Sequence, residues 1–277
     1  MLSAAGNRQP FPWSFPMSQS RPARFVVIIP ACRPQVHGEF DPLAFACGKP
    51  VLFYTIQQAQ ESGASGVLVA TDDADIAHQA QQDGAQALLT KGWSNDMERV
   101  ADAAAQLLQK GLVDEATVIV SLPANEPLVF GKTIRELVGE FSGSCADVAT
   151  IGVQGMNLMQ GYDPRVVKVI TDKHNRAMYF SRASAPVMPG RMAIPTAINH
   201  KYRLRQVQVY AFRLSVLTAY AQWGVCPPEY FEDLEQIRLL WNGGSIQVVQ
   251  LSHMGNLSIH DIKDIERLTK RLSLVIG

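Results

Sequence analysis

Phe25-Val-Val-Ile-Ile-Pro30, the helix-opening Gly48-Lys49-Pro50 and Gly66-Val-Leu-Val-Ala70 follow one another in an order that decides the fold. The first run is apolar throughout, β-branched and stopped by proline, so it predicts a strand covered on both faces. Pro50 to Ser62 predicts a helix with Leu52, Ile56 and Ala59 on one face. Gly66 to Ala70 then predicts a second buried strand. Strand, helix and strand in that sequence make a right-handed crossover in a mostly parallel sheet.

Working outward, Asp73 sits in an acidic group with Asp72 and Asp75 and suits the start of a helix that runs to about Gln82. Gln86 to Leu89 predicts a short strand, Ala101 to Leu112 an alanine-rich helix, and Thr117 to Leu122 another buried strand. The second half changes character. Val166 to Thr171 and Ala177 to Ser181 are joined by Asp172-Lys-His-Asn175, a turn-rich link that predicts an antiparallel hairpin. Gln206 to Phe212 and Ile246 to Leu251 read as strands. Val216 to Trp223, Phe231 to Trp241 and the basic, amphipathic Ile262 to Leu272 read as helices. The expectation is one three-layer, Rossmann-like α/β domain over residues 25–277, with a hairpin insertion around 160–212. It is preceded by a flexible extension over 1–24 that carries Pro10, Pro12, Pro16 and Pro22. Met17 stands beside Met1 as an alternative translation start.

Composition narrows the function. Lys+Arg and Asp+Glu balance at 25 each over 277 residues, for a formal net charge of +0, so nothing points to nucleic acid or an anionic membrane. Hydrophobic residues make up 47% and charged residues 18%, which fills a core and excludes wholesale disorder. Cys32, Cys47, Cys145 and Cys226 form no Cys-x-x-Cys pair, and no apolar run reaches the roughly 20 residues a membrane span needs. A cytoplasmic protein is expected. Glycine-rich dinucleotide and Walker loops are missing, as are Gly-x-Ser-x-Gly and His-x-x-x-His.

What remains is a constellation: Pro30-Ala31, Gly48-Lys49-Pro50, Val69-Ala70-Thr71-Asp72, Asn125-Glu126-Pro127, Val167-Lys168-Val169, Tyr179-Phe180-Ser181-Arg182 and Leu234-Glu235-Gln236-Ile-Arg238-Leu-Leu-Trp241. In this order, from Phe25 to about Leu272, the chain resembles CMP-Kdo synthetase (3-deoxy-manno-octulosonate cytidylyltransferase). The early pieces are common to many sugar nucleotidyltransferases; the hairpin and the Leu-Glu-Gln run are more specific. The resemblance implies a nucleotidyltransferase-type fold in lipopolysaccharide biosynthesis. It also implies a reaction in which the anomeric hydroxyl of an acidic 3-deoxy sugar attacks the α-phosphate of CTP, with Mg²⁺ at the reacting phosphate. It assigns nucleotide binding to Pro30, Ala31, Ala70 and Asp72, and sugar binding to Gln206 (a histidine in the family), Tyr210, Glu235 and Gln236, with Arg182 and Arg238 matching too.

The match breaks at the phosphate end. The family's basic loop falls on Pro30 to Leu43, where its two arginines become Cys32 and His37 and its lysine becomes Asp41. Arg33 lies one place along from the first. The metal-binding aspartates become Asn125 and His260, with Asp261 adjacent, and hard Mg²⁺ takes such ligands poorly. The family's Ser-Gly-Thr becomes Asn95-Asp96-Met97, while Glu98 and Arg99 persist. Ordinary CTP-dependent transfer is therefore not expected, and a sugar-binding or regulatory homologue is. The alternative is a cytidylyltransferase remodelled for a related acidic sugar, drawing cations from Arg33, Lys49 or a partner; a third reading is purely structural. The resemblance implies a homodimer through the hairpin, and a heterodimer with an active paralogue is a further hypothesis.

Several of these residues also suit plainer roles. Asp72 fits a helix-initiating turn, Glu235 and Arg238 a solvated pair one turn apart, Tyr210 the core, and Lys49 a surface helix start. A rebuilt metal site of His37 and His260 with Asp41 or Asp261 has no local ligand spacing behind it.

Overall fold

A computed structural model describes residues 23–36, 38–93, 95–186, 203–252 and 258–276. All but Ala23 and Arg24 of the expected extension lie outside that set. In chain order the elements are β1 (Phe25–Pro30), β2 (Phe45–Ala46), β3 (Lys49–Pro50), α1 (Val51–Glu61), β4 (Gly66–Thr71), α2 (Ala74–Gln82), β5 (Gln86–Leu89), α3 (Asp96–Gln109), β6 (Val118–Ser121) and α4 (Gly131–Ser142). Then come β7 (Val148–Val153), α5 (Leu158–Tyr162), β8 (Lys168–Thr171), β9 (Ala177–Ser181), β10 (Leu204–Phe212), α6 (Leu214–Tyr220), α7 (Pro227–Glu232), α8 (Ile237–Trp241), β11 (Ile246–Leu251) and α9 (Ile262–Ile276).

The main sheet runs β11-β7-β10-β6-β1-β4-β5, with β8 paired to β10 and β9 to β8; β2 and β3 form a separate antiparallel pair. β1 is parallel to both β4 and β6, with every residue buried, as its unbroken apolar run requires. β10 is the exception: it enters antiparallel between β6 and β7. Its register against β7 shifts between Val207 and Tyr210, where the Thr150 hydroxyl reaches the carbonyls of Val207 (3.1 Å) and Val209 (2.9 Å). The buried residues divide into clusters on either side of the sheet, one against α3, α6 and α8, the other against α1, α2 and α4. A third cluster seats α9, through Leu268, on Val51 and Tyr54 of α1.

The hairpin of β8 and β9 is antiparallel as its turn predicts, and Asn175 takes the left-handed conformation (φ 61°). Other readings change. α3 starts at Asp96 rather than Ala101, because the Asn95 side chain caps it by accepting from the Glu98 amide at 2.8 Å. Phe231 to Trp241 is not one helix. Cys226 and Glu229 form a capping box and Pro227 starts the first turn, so α7 begins early; Asp233 at φ 51° then ends it before α8. The elements α4, β7, α5, β2 and β3 were not read from pattern.

α1 and α4 cross so closely that a Cβ on Gly131 would stand 2.7 Å from Glu61 C and Ser62 N, both backbone. Gly131→Ala is expected to cost about 1–3 kcal/mol through forced separation of the two helices, seen as a lower midpoint in urea unfolding with an unchanged slope.

Candidate functional site

The chain reverses direction across the sheet beside β1, since the crossovers to β4 and to β6 leave on opposite sides. Clefts open at the carboxyl ends of strands at such points. Here a cleft of about 910 Å³ is walled by Pro30, Ala31, Cys32 and Arg33 after β1, Asp72 and Asp73 after β4, Trp93, Asp96 and Arg99 around the start of α3, Asn125 after β6, and His260 before α9. Six of the sequence-assigned positions (Pro30, Ala31, Cys32, Asp72, Asn125 and His260) thus share one wall system. Ala70 does not: it is fully buried in β4, and its carbonyl accepts the Ala31 amide at 3.0 Å. His37 lies outside the described residues.

The cations of this cleft are committed. Arg33 Nη1 meets Asp41 at 2.9 Å, its Nε meets Asp73 at 3.3 Å and its Nη2 meets Asp75 at 3.1 Å. Asp73 is also the cap of α2, accepting from the Ile76 amide; that bond and the Arg33 guanidinium hold its carboxyl below the usual range. Asp41, which the resemblance aligns with a lysine, is thus a carboxylate partner of Arg33. The buried Arg99 donates through Nη1 to Asp72 Oδ1 and Thr90 Oγ1, both at 3.0 Å, and through Nη2 to the Trp93 carbonyl at 3.2 Å. Cys32 adds no charge. Its thiol is exposed at the cleft but partly shielded from bulk water by the cleft walls; that shielding, then the neighbouring Asp96, push it upward, so it stays protonated at neutral pH.

The donor set does not fit Mg²⁺. Asn125 is neutral, burial pushes His260 below its ordinary value and leaves the imidazole neutral, and no group of three or more metal-ligating side chains occurs among the described residues. The backbone holds the two segments together, the amide of Ile259, which precedes His260, donating to the Asn125 carbonyl at 2.9 Å.

A second cleft of about 620 Å³ lies on the other side of Asp96, lined by Ser121, Tyr210, Glu229, Asp233, Glu235 and Gln236 among others. Three of the sequence-assigned sugar residues line it and the fourth supports them. Gln236 Nε2 donates to Gln206 Oε1 at 2.9 Å, and Gln206 Nε2 donates to the Tyr210 hydroxyl at 2.7 Å. The reading of Glu235 and Arg238 as a solvated pair is corrected. Arg238 is buried, and it pairs with Glu229 of α7 at 2.5 Å and Glu98 of α3 at 2.9 Å, with the Tyr220 ring 4.6 Å away. Glu235 instead accepts the Met97 amide at 3.0 Å, on the N-terminus of α3. Arg182 is a clamp: its Nε and Nη2 donate to the carbonyls of Glu232 and Asp233 at 2.8 and 2.9 Å, beside a Ser181 hydroxyl bond to Glu232 at 2.8 Å. Lys168 is likewise structural, fully buried and donating to the carbonyls of Asp163, Val166 and Arg182.

The sequence names Asp96 only as a departure from the family's Ser-Gly-Thr and Asp73 and Asp75 only as a helix start; that Asp96 stands between the clefts and that the other two hold Arg33 is seen in the structure. The one available signal was the acidic first turn, Asp96 and Glu98, behind a capping Asn95.

The sequence profile of the cytidylyltransferase family matches residues 42–251. Among solved structures the chain is similar to CMP:2-keto-3-deoxy-manno-octonic acid synthetase complexed with CTP, at 25% identity and a TM-score of 0.78, covering 91% of this chain and 99% of that one. Two 4-diphosphocytidyl-2C-methyl-D-erythritol synthases share the fold. That from Anaerococcus prevotii DSM 20548 has a TM-score of 0.57 at 12% identity, covering 91% of this chain and 99% of its own; the other has 0.59 at 14%, covering 91% and 100%.

Asp96 and Glu235 line the smaller cleft together and act on each other electrostatically. Burial raises both, to about 6 and about 8, with the Asp96 charge adding to the rise at Glu235 and Arg99 opposing that at Asp96. Native pKa values above the ordinary ones mean that the folded state holds more protons between about pH 4 and 8, so this pair contributes stability below that window and loses it as pH rises through it. Asp96→Asn is expected to raise the melting temperature over wild type at pH 8 and to leave it nearly unchanged at pH 4, by calorimetry across the range.

Proposed function

Because the chain belongs to the cytidylyltransferase family, we propose that it is a member that no longer transfers CMP from CTP and that acts as a sugar-binding or regulatory homologue. The observation carrying this reading is the fate of the two arginines that line the larger cleft. Arg33 answers to three carboxylates and Arg99 to one, with Glu39, Asp72, Asp73 and Asp96 around the same space. Phosphoryl transfer is driven by positioning and by cations over the triphosphate. Losing one such electrostatic stabiliser costs on the order of 3 kcal/mol of barrier. Each close like-charge contact adds roughly 1 kcal/mol or more at a solvated site. Cys32, Asp41 and Asn125 remove several stabilisers together, and the ungapped alignment puts His37 at a further arginine position. The two positions to which the resemblance assigns Mg²⁺ carry Asn125 and His260 in place of aspartates, which weakens the site for that ion.

The polar network of Gln206, Tyr210 and Gln236 supports retention of a sugar pocket in the smaller cleft. Incubation with CTP, Mg²⁺ and Kdo is expected to release no pyrophosphate above a protein-free blank in a coupled assay; turnover near that of an active synthetase would refute the reading. CTP with Mg²⁺ is likewise expected to leave the melting temperature unchanged.

Self-association through the hairpin belongs to the same proposal. β9 pairs on one side alone among the described strands, and Met178, Tyr230 and Phe231 stand exposed near it. Light scattering on the eluted protein is expected to give the mass of two chains.

A further inference from the structure

Away from both clefts, two hollows of about 500 and about 330 Å³ run along one side of α9 and share Ala44, Ile262 and Ile265. They form one groove between α9, β2 and the loop after β1. Its rim is apolar and open to water: Phe45 is 68% exposed, Ile262 66% and Val36 61%. Leu268 is the residue that seats α9 on α1, so Ile262 is left over from that packing. Single exposed apolar residues are ordinary, but three along one connected groove mark a surface that something covers. The charge of the groove is also one-sided, with Glu39, Asp41 and Glu266 lining it against Lys270.

The chain ahead of β1 has the complementary composition. Residues 1–22 carry Arg8 and Arg21 and no acid, and Pro10-Phe-Pro-Trp-Ser-Phe-Pro16 places three aromatic side chains among three prolines. Proline restricts the backbone in advance, so such a segment loses less freedom on docking, and apolar grooves take proline-rich segments in this way. The reach is sufficient. The described chain starts at Ala23, which packs on the cluster formed with α1, α2 and α4, on the face of the sheet that also carries α9. β1 then covers roughly 20 Å before the loop that borders the groove. At roughly 3.3 Å per residue, Phe15 can stand about 26 Å from Ala23 and Phe11 about 40 Å.

We propose that the groove is the seat of residues 10–16 of the same chain. Phe11, Trp13 and Phe15 cover Phe45, Ile262 and Val36, and Arg8 is drawn to the acidic rim. Pro34, Gln35, Val36 and Glu39 wall both this groove and the larger cleft, so the seated segment borders the loop that carries Arg33. A chain translated from Met17 would lack the segment and leave the groove open.

Fluorine NMR of the full-length protein labelled with fluorotryptophan reads the seat directly. The chain has 4 tryptophans, and Trp13→Phe identifies one signal. The Trp13 signal is expected to stand away from its position in the urea-unfolded chain. Ile262→Glu should return it there while the Trp93 and Trp223 signals stay in place, which shows that the fold is intact. A synthetic peptide of residues 8–17 should bind a chain lacking residues 1–16 about tenfold more tightly than the full chain, because the tethered segment competes at a roughly millimolar effective concentration. A Trp13 signal at the unfolded position, or a displacement that survives Ile262→Glu, would overturn the proposal. So would equal binding of the peptide to both chains. A displacement that fades on dilution would overturn it in favour of a second copy as the occupant.

Discussion

Arg238 is the contact around which both clefts are arranged. Its guanidinium is buried between Glu229 and Glu98, it donates to the Trp223 carbonyl at 3.2 Å, and it lies against the Tyr220 ring. Removing a guanidinium from water costs several kcal/mol, which carboxylates at hydrogen-bond distance on two sides can offset. The consequence is positional. One side chain ties the first turn of α3 to α7 and α8, and Glu235 then reaches the Met97 amide from the same segment. The partition that carries Asp96 is held in place by this knot.

Electrostatics on the two sides of the partition follow from who pairs with whom. On the larger side, positive charge is present but already occupied: Arg33 bridges the loop after β1 to α2, and Arg99 bridges Asp72 to the backbone after β5. Such pairs give the loops a defined shape, and they leave little attraction for a polyanion. On the smaller side Asp96 and Glu235 line one cleft, and burial holds both carboxyls above the usual range, so the pair keeps a proton that isolated carboxylates would release.

The motifs that identify the family turn out to be divided between scaffold and pocket. Tyr179-Phe180-Ser181-Arg182 clamps α7 from β9, and Lys168 holds three carbonyls at the base of the hairpin; neither lines either of the two clefts described. Glu235, Gln236 and Tyr210 do line one. A matching residue is therefore not by itself a binding residue. Burial and hydrogen-bond partners distinguish the two, and motif spacing does not carry them.

From sequence alone came the strand-helix order, the parallel half of the sheet, the hairpin, and the neutral and acidic side chains at Cys32 and Asp41. These depend on local apolar runs, turn chemistry and side-chain identity, which a linear chain displays openly. Helix limits near Asn95 and Asp233 were misread, because caps and a left-handed residue override the apolar period there. The antiparallel entry of β10, the capture of Arg33 by Asp41, Asp73 and Asp75, and the meeting of Asp96 with Glu235 were decided by tertiary structure. Charges far apart along the chain interact only once the backbone brings them together, and their pairing is set by distance and burial.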